Sequence, residues 1–123
     1  MKTQAVSRRG FTIVELIIII TVIGILAAIS TFGFGQWRNR TAQKEVESDL
    51  RGVHAAMNSA RNWSAGYPTA VPSTFAASKN VQLTYRSGNA TRFCVEARST
   101  SVSSIVYYLN TDNGNKDPKP GTC

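Results

Sequence analysis

The sequence predicts an α+β protein: one long N-terminal helix, transmembrane in its first half and amphipathic in its second, packed on a small antiparallel β-sheet. Three observations predict it. A block of 22 residues without a charge runs from Leu16 to Trp37. Apolar residues then recur every three or four positions, and three short segments of alternating polarity follow in the C-terminal half. With 123 residues in all, the chain has length for one small domain beside that helix.

Residues 1 to 10, MKTQAVSRRG, form a short basic leader, and the apolar block begins at once with Phe11. A conventional secretory signal carries its small-residue cleavage site beyond the apolar stretch. Here the nearest candidates, Ala27 and Ala28, lie inside it. At 1.5 Å per residue the uncharged block makes about 33 Å of helix, enough to cross a bilayer. A buried core helix is the alternative, and it fails because the remaining chain is too small and polar to wrap an all-round apolar helix of that length. Orientation is barely decided by charge, since Lys2, Arg8 and Arg9 before the block face Arg38, Arg40 and Lys44 after it. Trp37 stands where the block meets water, which suits an interfacial anchor.

Past the block, Val46, Leu50, Val53, Met57 and Ala60 are spaced four, three, four and three, the stripe of an amphipathic helix. Proline is absent from Phe11 to Trp63, so a single helix is expected from about residue 11 to about 63, ended by Gly66 and Pro68. Gly24, Gly33 and Gly35 are weak points within it, each costing roughly 1 kcal/mol against alanine. They are places for bending or melting. Trp63 is expected in the core, and His54, the lone histidine, reads as a packing residue beside the stripe.

The strands are read from alternation in Val81, Leu83 and Tyr85, then Phe93, Val95 and Ala97, then Ile105, Tyr107 and Leu109. Ser87, Gly88 and Asn89 separate the first two and Ser99 to Ser103 the next two, so an antiparallel meander is expected. One of its faces should cover the helix stripe. The tail from Thr111 to Cys123 reads as irregular loop. Four segments result: leader 1–10, apolar helix 11–37, amphipathic helix half 38–66, and sheet with C-terminal loop 67–123.

Two cysteines, Cys94 and Cys123, fall in the polar half, and an even count there suits a disulfide; two free thiols in a reducing compartment are the alternative. A bridge would close a loop of about 30 residues, worth on the order of 3 to 4 kcal/mol.

The net charge of +7 falls to +4 without Lys2, Arg8 and Arg9. The rest is dispersed, with no basic run interleaved with aromatics, so no dedicated nucleic-acid site is expected. No catalytic constellation or phosphate-cradling glycine loop is present, so the chain does not read as an enzyme and calls for no cofactor. Asp112, Asn113, Asn115 and Asp117 offer oxygen ligands without the EF-hand spacing. They read as a solvated turn, and no metal site is assigned.

Glu15 is the most informative single residue. A carboxylate in an apolar membrane segment costs about 2.5 to 3.5 kcal/mol and calls for a partner or a purpose. Cleavage between Gly10 and Phe11 would supply one, the new α-amine of Phe11. Arg8, Arg9 and Gly10 followed by FTIVELIIIITVIGILAAI from Phe11 to Ile29 closely resemble the signature of the type IV pilin (prepilin) family. The resemblance is close over some 20 to 25 residues and loose over the rest. It implies the pilin fold. It also implies that a prepilin peptidase cuts after Gly10 and methylates the amine of Phe11. Glu15 would pair with the N-terminal amine of a neighbouring subunit and so set axial register. Implied partners are further pilin subunits through the N-terminal helix, the pilus assembly machinery and the membrane. The implied location is a single-pass membrane precursor, then an extracellular or periplasmic filament at a bacterial surface. One departure is visible: many pilins carry a proline in the second half of the apolar helix, and this chain has none. The alternative within the same family is a secretion pseudopilin, some of which hold calcium in a C-terminal loop.

Overall fold

A computed structural model describes residues 9 to 62 and 65 to 123. The expectation for Trp63, and those for Lys2 and Arg8, lie outside the described residues. Among the described residues one α-helix, α1 (Ile13–Ser59), is followed by four strands, β1 (Val81–Gly88), β2 (Phe93–Ser99), β3 (Val106–Asn110) and β4 (Lys119–Pro120). The strands form one antiparallel sheet in sequence order. This is the α+β arrangement that the sequence predicts, a long helix packed in its second half on a small antiparallel sheet.

The chain divides into two compact units, one ending at Gln36 and one from Trp37 to Cys123. In the first, α1 is helical through Gly24, Gly33 and Gly35. A Cβ added at any of them would meet nothing within 4 Å, so no contact in the chain requires glycine there. Every residue from Phe11 to Thr41 is exposed.

In the second unit the core lies between α1 and one face of the sheet. Val46, Leu50, Val53 and Met57 are completely buried, against Phe93, Val95, Ala97 and Leu109. Register puts the expected apolar residues on that face: Leu83 lies opposite Ala97, Val95 opposite Leu109, and Ala97 opposite Tyr107. Each buried aliphatic side chain contributes about 1.5 to 3 kcal/mol. The buried stripe starts one turn earlier than the spacing suggested, at Ala42, and Ala60 is exposed. The helix is likewise shorter than expected. Asn62 and Gly66 exchange backbone hydrogen bonds of 2.9 and 2.6 Å that turn the chain away. Gly66 adopts φ 85°, and a Cβ there would collide with Ala90, so glycine is required.

Three features depart from the expected meander. Ser87 and Gly88 belong to β1, and the hairpin loop is Asn89 to Arg92, where the Asn89 carboxamide oxygen accepts from the backbone N–H of Thr91 and Arg92 at 2.9 and 3.0 Å. A β-bulge falls between Tyr85 and Ser87. Thirdly, the tail is not irregular throughout: a single 3-10 turn at Asp112–Gly114 leads to β4, which pairs with Tyr107 and Tyr108. A two-residue strand made only by tertiary pairing leaves no alternation in the sequence to read.

Strand β2 also lacks the alternating burial of a one-sided sheet, because Cys94 and Glu96 on its outer face are buried too. The C-terminal segment covers them. Cys94 and Cys123 form the disulfide, with Cα atoms 6.1 Å apart. Glu96 accepts a hydrogen bond from the Cys123 backbone N–H at 3.0 Å and pairs with Arg86 at 2.9 Å. The segment before β1 is held to the helix in a similar way. Asp49, buried in α1, accepts from the Ser78 backbone N–H at 2.7 Å and its hydroxyl at 2.8 Å, while Phe75 packs against the core beside Gly52.

Candidate functional site

The features that carry the sequence argument lie at the start of α1. Gly10 and Phe11 precede the first helical residue, Ile13, in exposed, non-helical backbone. Exposed backbone outside regular structure is where proteolytic nicking concentrates in general. Thr12 and Glu15 then begin the helix reciprocally. The Thr12 hydroxyl oxygen accepts from the Glu15 backbone N–H at 3.2 Å, while the Glu15 carboxylate accepts from the Thr12 N–H at 2.9 Å and its hydroxyl at 3.1 Å. This is a capping box. It satisfies helix N–H groups that would otherwise face an apolar medium unpaired. The Thr-x-x-Glu spacing stood in the sequence, and its capping role was not read there. Glu15 therefore has local partners with the leader still attached.

Beyond Glu15 the helix surface carries no charge as far as the aromatic group Phe32, Phe34 and Trp37, and it is apolar apart from Thr21, Ser30, Thr31 and Gln36. Its most apolar 18-residue window has a mean hydropathy of 2.8, and none of that window is buried within the chain. Ile13 is 80% exposed and Phe32 85%. So large an uncovered apolar surface belongs in lipid or against other protein. Thr21 and Ser30 lie within it, and their hydroxyls donate to the carbonyls of Ile17 and Leu26 at 2.7 and 2.8 Å. Those polar atoms are thereby hidden from an apolar partner.

Other singled-out residues have packing or pairing roles. His54 is half-buried with its ring 6.3 Å from that of Phe93. Burial and the charge of Lys116 lower its pKa. Asp112 pairs with Arg92 at 2.7 Å, and the Asn115 side-chain oxygen accepts from the Asp117 N–H at 3.3 Å. Among the described residues, no three acidic, histidine or cysteine side chains gather as a metal site would require. Buried acids that the sequence analysis passed over, Asp49 and Glu96, act as tethers for the loops that cross the sheet and helix. Polar side chains at otherwise core-facing or strand positions carry no sequence mark that distinguishes a tether from a solvated surface.

Comparison with known proteins agrees with the N-terminal reading. Residues 6–31 match the family model described as the prokaryotic N-terminal methylation motif. The chain is 41% identical over 51 residues to the type IV major pilin protein PilA of Myxococcus xanthus (strain DK1622), an alignment covering 42% of this chain and 23% of that protein. No solved structure matches the chain. The N-terminal segment thus bears the type IV pilin (prepilin) signature, on a chain that aligns with under a quarter of its relative's length.

Proposed function

We propose that this type IV pilin-like chain is a structural, non-catalytic subunit of a pilus-like filament, assembled through α1. The observation that carries the reading is the wholly uncovered apolar half of α1, with a single acid, Glu15, at its start and the methylation motif around it. A prepilin peptidase cleaves between Gly10 and Phe11 and methylates the amine of Phe11. The helix, first held in the membrane, leaves lipid for the helices of other subunits. Since both environments are apolar, the transfer itself gains little hydrophobic free energy, so a polar contact must select the register. Glu15 supplies it by pairing with the amine of a neighbouring Phe11. The capping contacts to Thr12 hold the carboxylate in place until then.

Between a surface pilus, serving adhesion, motility or DNA uptake, and a secretion pseudopilin, the pilus is favoured. The Cys94–Cys123 closure supports it, and so does the engagement of Asp112 by Arg92, which occupies a carboxylate that a calcium loop would use.

Mass spectrometry of the protein from its native membrane or filaments tests the processing. A chain beginning at Phe11 with one added methyl group is expected, and an intact Met1 or a start elsewhere rejects it. Glu15→Ala is expected to insert and to be cut, yet to enter filaments poorly. Normal incorporation would remove the register role.

A further inference from the structure

A concavity of about 400 Å³ lies between the C-terminal turn of α1, the β1–β2 hairpin and the 3-10 turn, within the second unit. Three basic side chains line it, His54, Arg61 and Lys116, and no acid does. Arg51, Arg86 and Arg92 each stand within 4.0 Å of a carboxylate, whereas Arg61 and Lys116 have no such partner among the described residues.

Arg61 is also held in place. Its guanidinium lies 4.8 Å from the centre of the Tyr67 ring, and Tyr67 is fixed in turn by an edge-on contact with Phe93 at 5.0 Å and by donating its hydroxyl to Asn58 at 2.8 Å. A guanidinium stacked in this way keeps its N–H fork free while losing little side-chain freedom on binding. The remaining lining is hydroxyl and amide, from Thr91, Thr111, Asn58 and Asn115. Burial is the main cause of the lowered pKa of His54, and the charge of Lys116 adds to it.

We infer that this groove binds an acidic sugar unit, with its carboxylate, sulfate or phosphate group on Arg61 and Lys116 and its hydroxyls on the threonine and asparagine side chains. A planar fork beside a point charge suits an oxyanion. Neutral donors and acceptors around it suit a polyhydroxylated body. The volume accommodates about one monosaccharide. A nucleic-acid strand fits less well. It would need a continuous basic track and a series of open ring faces, and the one aromatic face here is covered by Arg61. The site uses no residue of α1's apolar half, so its failure would leave the filament assignment standing.

The test is a titration of the full chain in detergent micelles, following backbone amide signals of Thr91, Thr111 and Asn115 by NMR. The probes are glucuronic acid, glucose 6-phosphate, glucose, inorganic phosphate and a single-stranded oligodeoxynucleotide. Saturable shifts with both acidic sugars are expected, at least about tenfold tighter than with glucose. Arg61→Gln should weaken them about tenfold or more, and so should Lys116→Gln, which lies on an exposed turn and leaves the core untouched. The inference is overturned if neither acidic sugar saturates, or if inorganic phosphate binds as tightly as glucose 6-phosphate. Tighter binding by the oligonucleotide would overturn it too, as would the same shifts appearing with rising protein concentration alone, which would place a second copy in the groove.

Discussion

Replacement of Asp49 by alanine tests whether the segment before β1 is fastened to the helix by one side chain. Both carboxylate oxygens accept from Ser78, at 2.7 and 2.8 Å, and the aspartate is buried while Ser78 is exposed. Hydrogen bonds to a charged acceptor contribute about 1.5 to 3 kcal/mol each. Ser78 can turn to water when the acid is lost, and two bonds between one pair of residues do not add in full, so the pair together accounts for roughly 2 kcal/mol. Alanine gains up to about 0.7 kcal/mol in helix propensity over aspartate, which offsets part of that loss. The tether wins. A net destabilisation of about 1.5 kcal/mol follows, corresponding to a fall in Tm of roughly 5 to 10 °C for a unit of this size. Thermal unfolding of the full chain in micelles, followed by near-ultraviolet circular dichroism, measures it. Amide hydrogen exchange at Ser78 should speed up in the variant. A cycle with Ser78→Ala should give a coupling of about 1 kcal/mol or more. A shift below about 0.5 kcal/mol, or additive single variants, would refute the tether.

Other expectations follow from the same geometry. Leu50→Ala, at a completely buried site between helix and sheet, should cost about 2 to 5 kcal/mol in urea unfolding. Cys94→Ser should cost on the order of 3 to 4 kcal/mol by opening a loop with a sequence separation of 29, read as a lower unfolding midpoint that reductant does not lower further. Thr12→Ala removes the cap and should cost about 1 kcal/mol of helix stability, seen as faster amide exchange at Ile13 to Glu15. His54 has a folded pKa below its ordinary 6.5, so the unfolded chain binds the proton more readily. Stability should therefore be full above about pH 6.5 and decline as pH falls through that value toward the lower folded pKa. His54→Gln should flatten that decline in a pH series of unfolding midpoints.

The legible parts of this protein are those written in local pattern. The apolar block, the three-and-four spacing of Val46, Leu50, Val53 and Met57, and the two-residue alternation around Val95 and Leu109 each reflect a side-chain period set by the backbone. Their placement survived folding. The Thr12-x-x-Glu15 box was equally local and could have been read. Boundaries were less legible: the helix stops at Ser59 because Asn62 and Gly66 close a turn against Ala90, a residue some thirty positions from the helix end.

By itself, then, the sequence determined the class of structure and the solvent each half of α1 requires, because charge and hydropathy act at every residue wherever the chain goes. Only the tertiary structure decided which polar residues become tethers. Asp49 finding Ser78, Glu96 finding Arg86 and Cys123, and Arg61 settling on Tyr67 beside Lys116 depend on distances between segments that sequence spacing does not encode. The same holds for β2, whose outer face is buried only because the C-terminal tail returns to cover it.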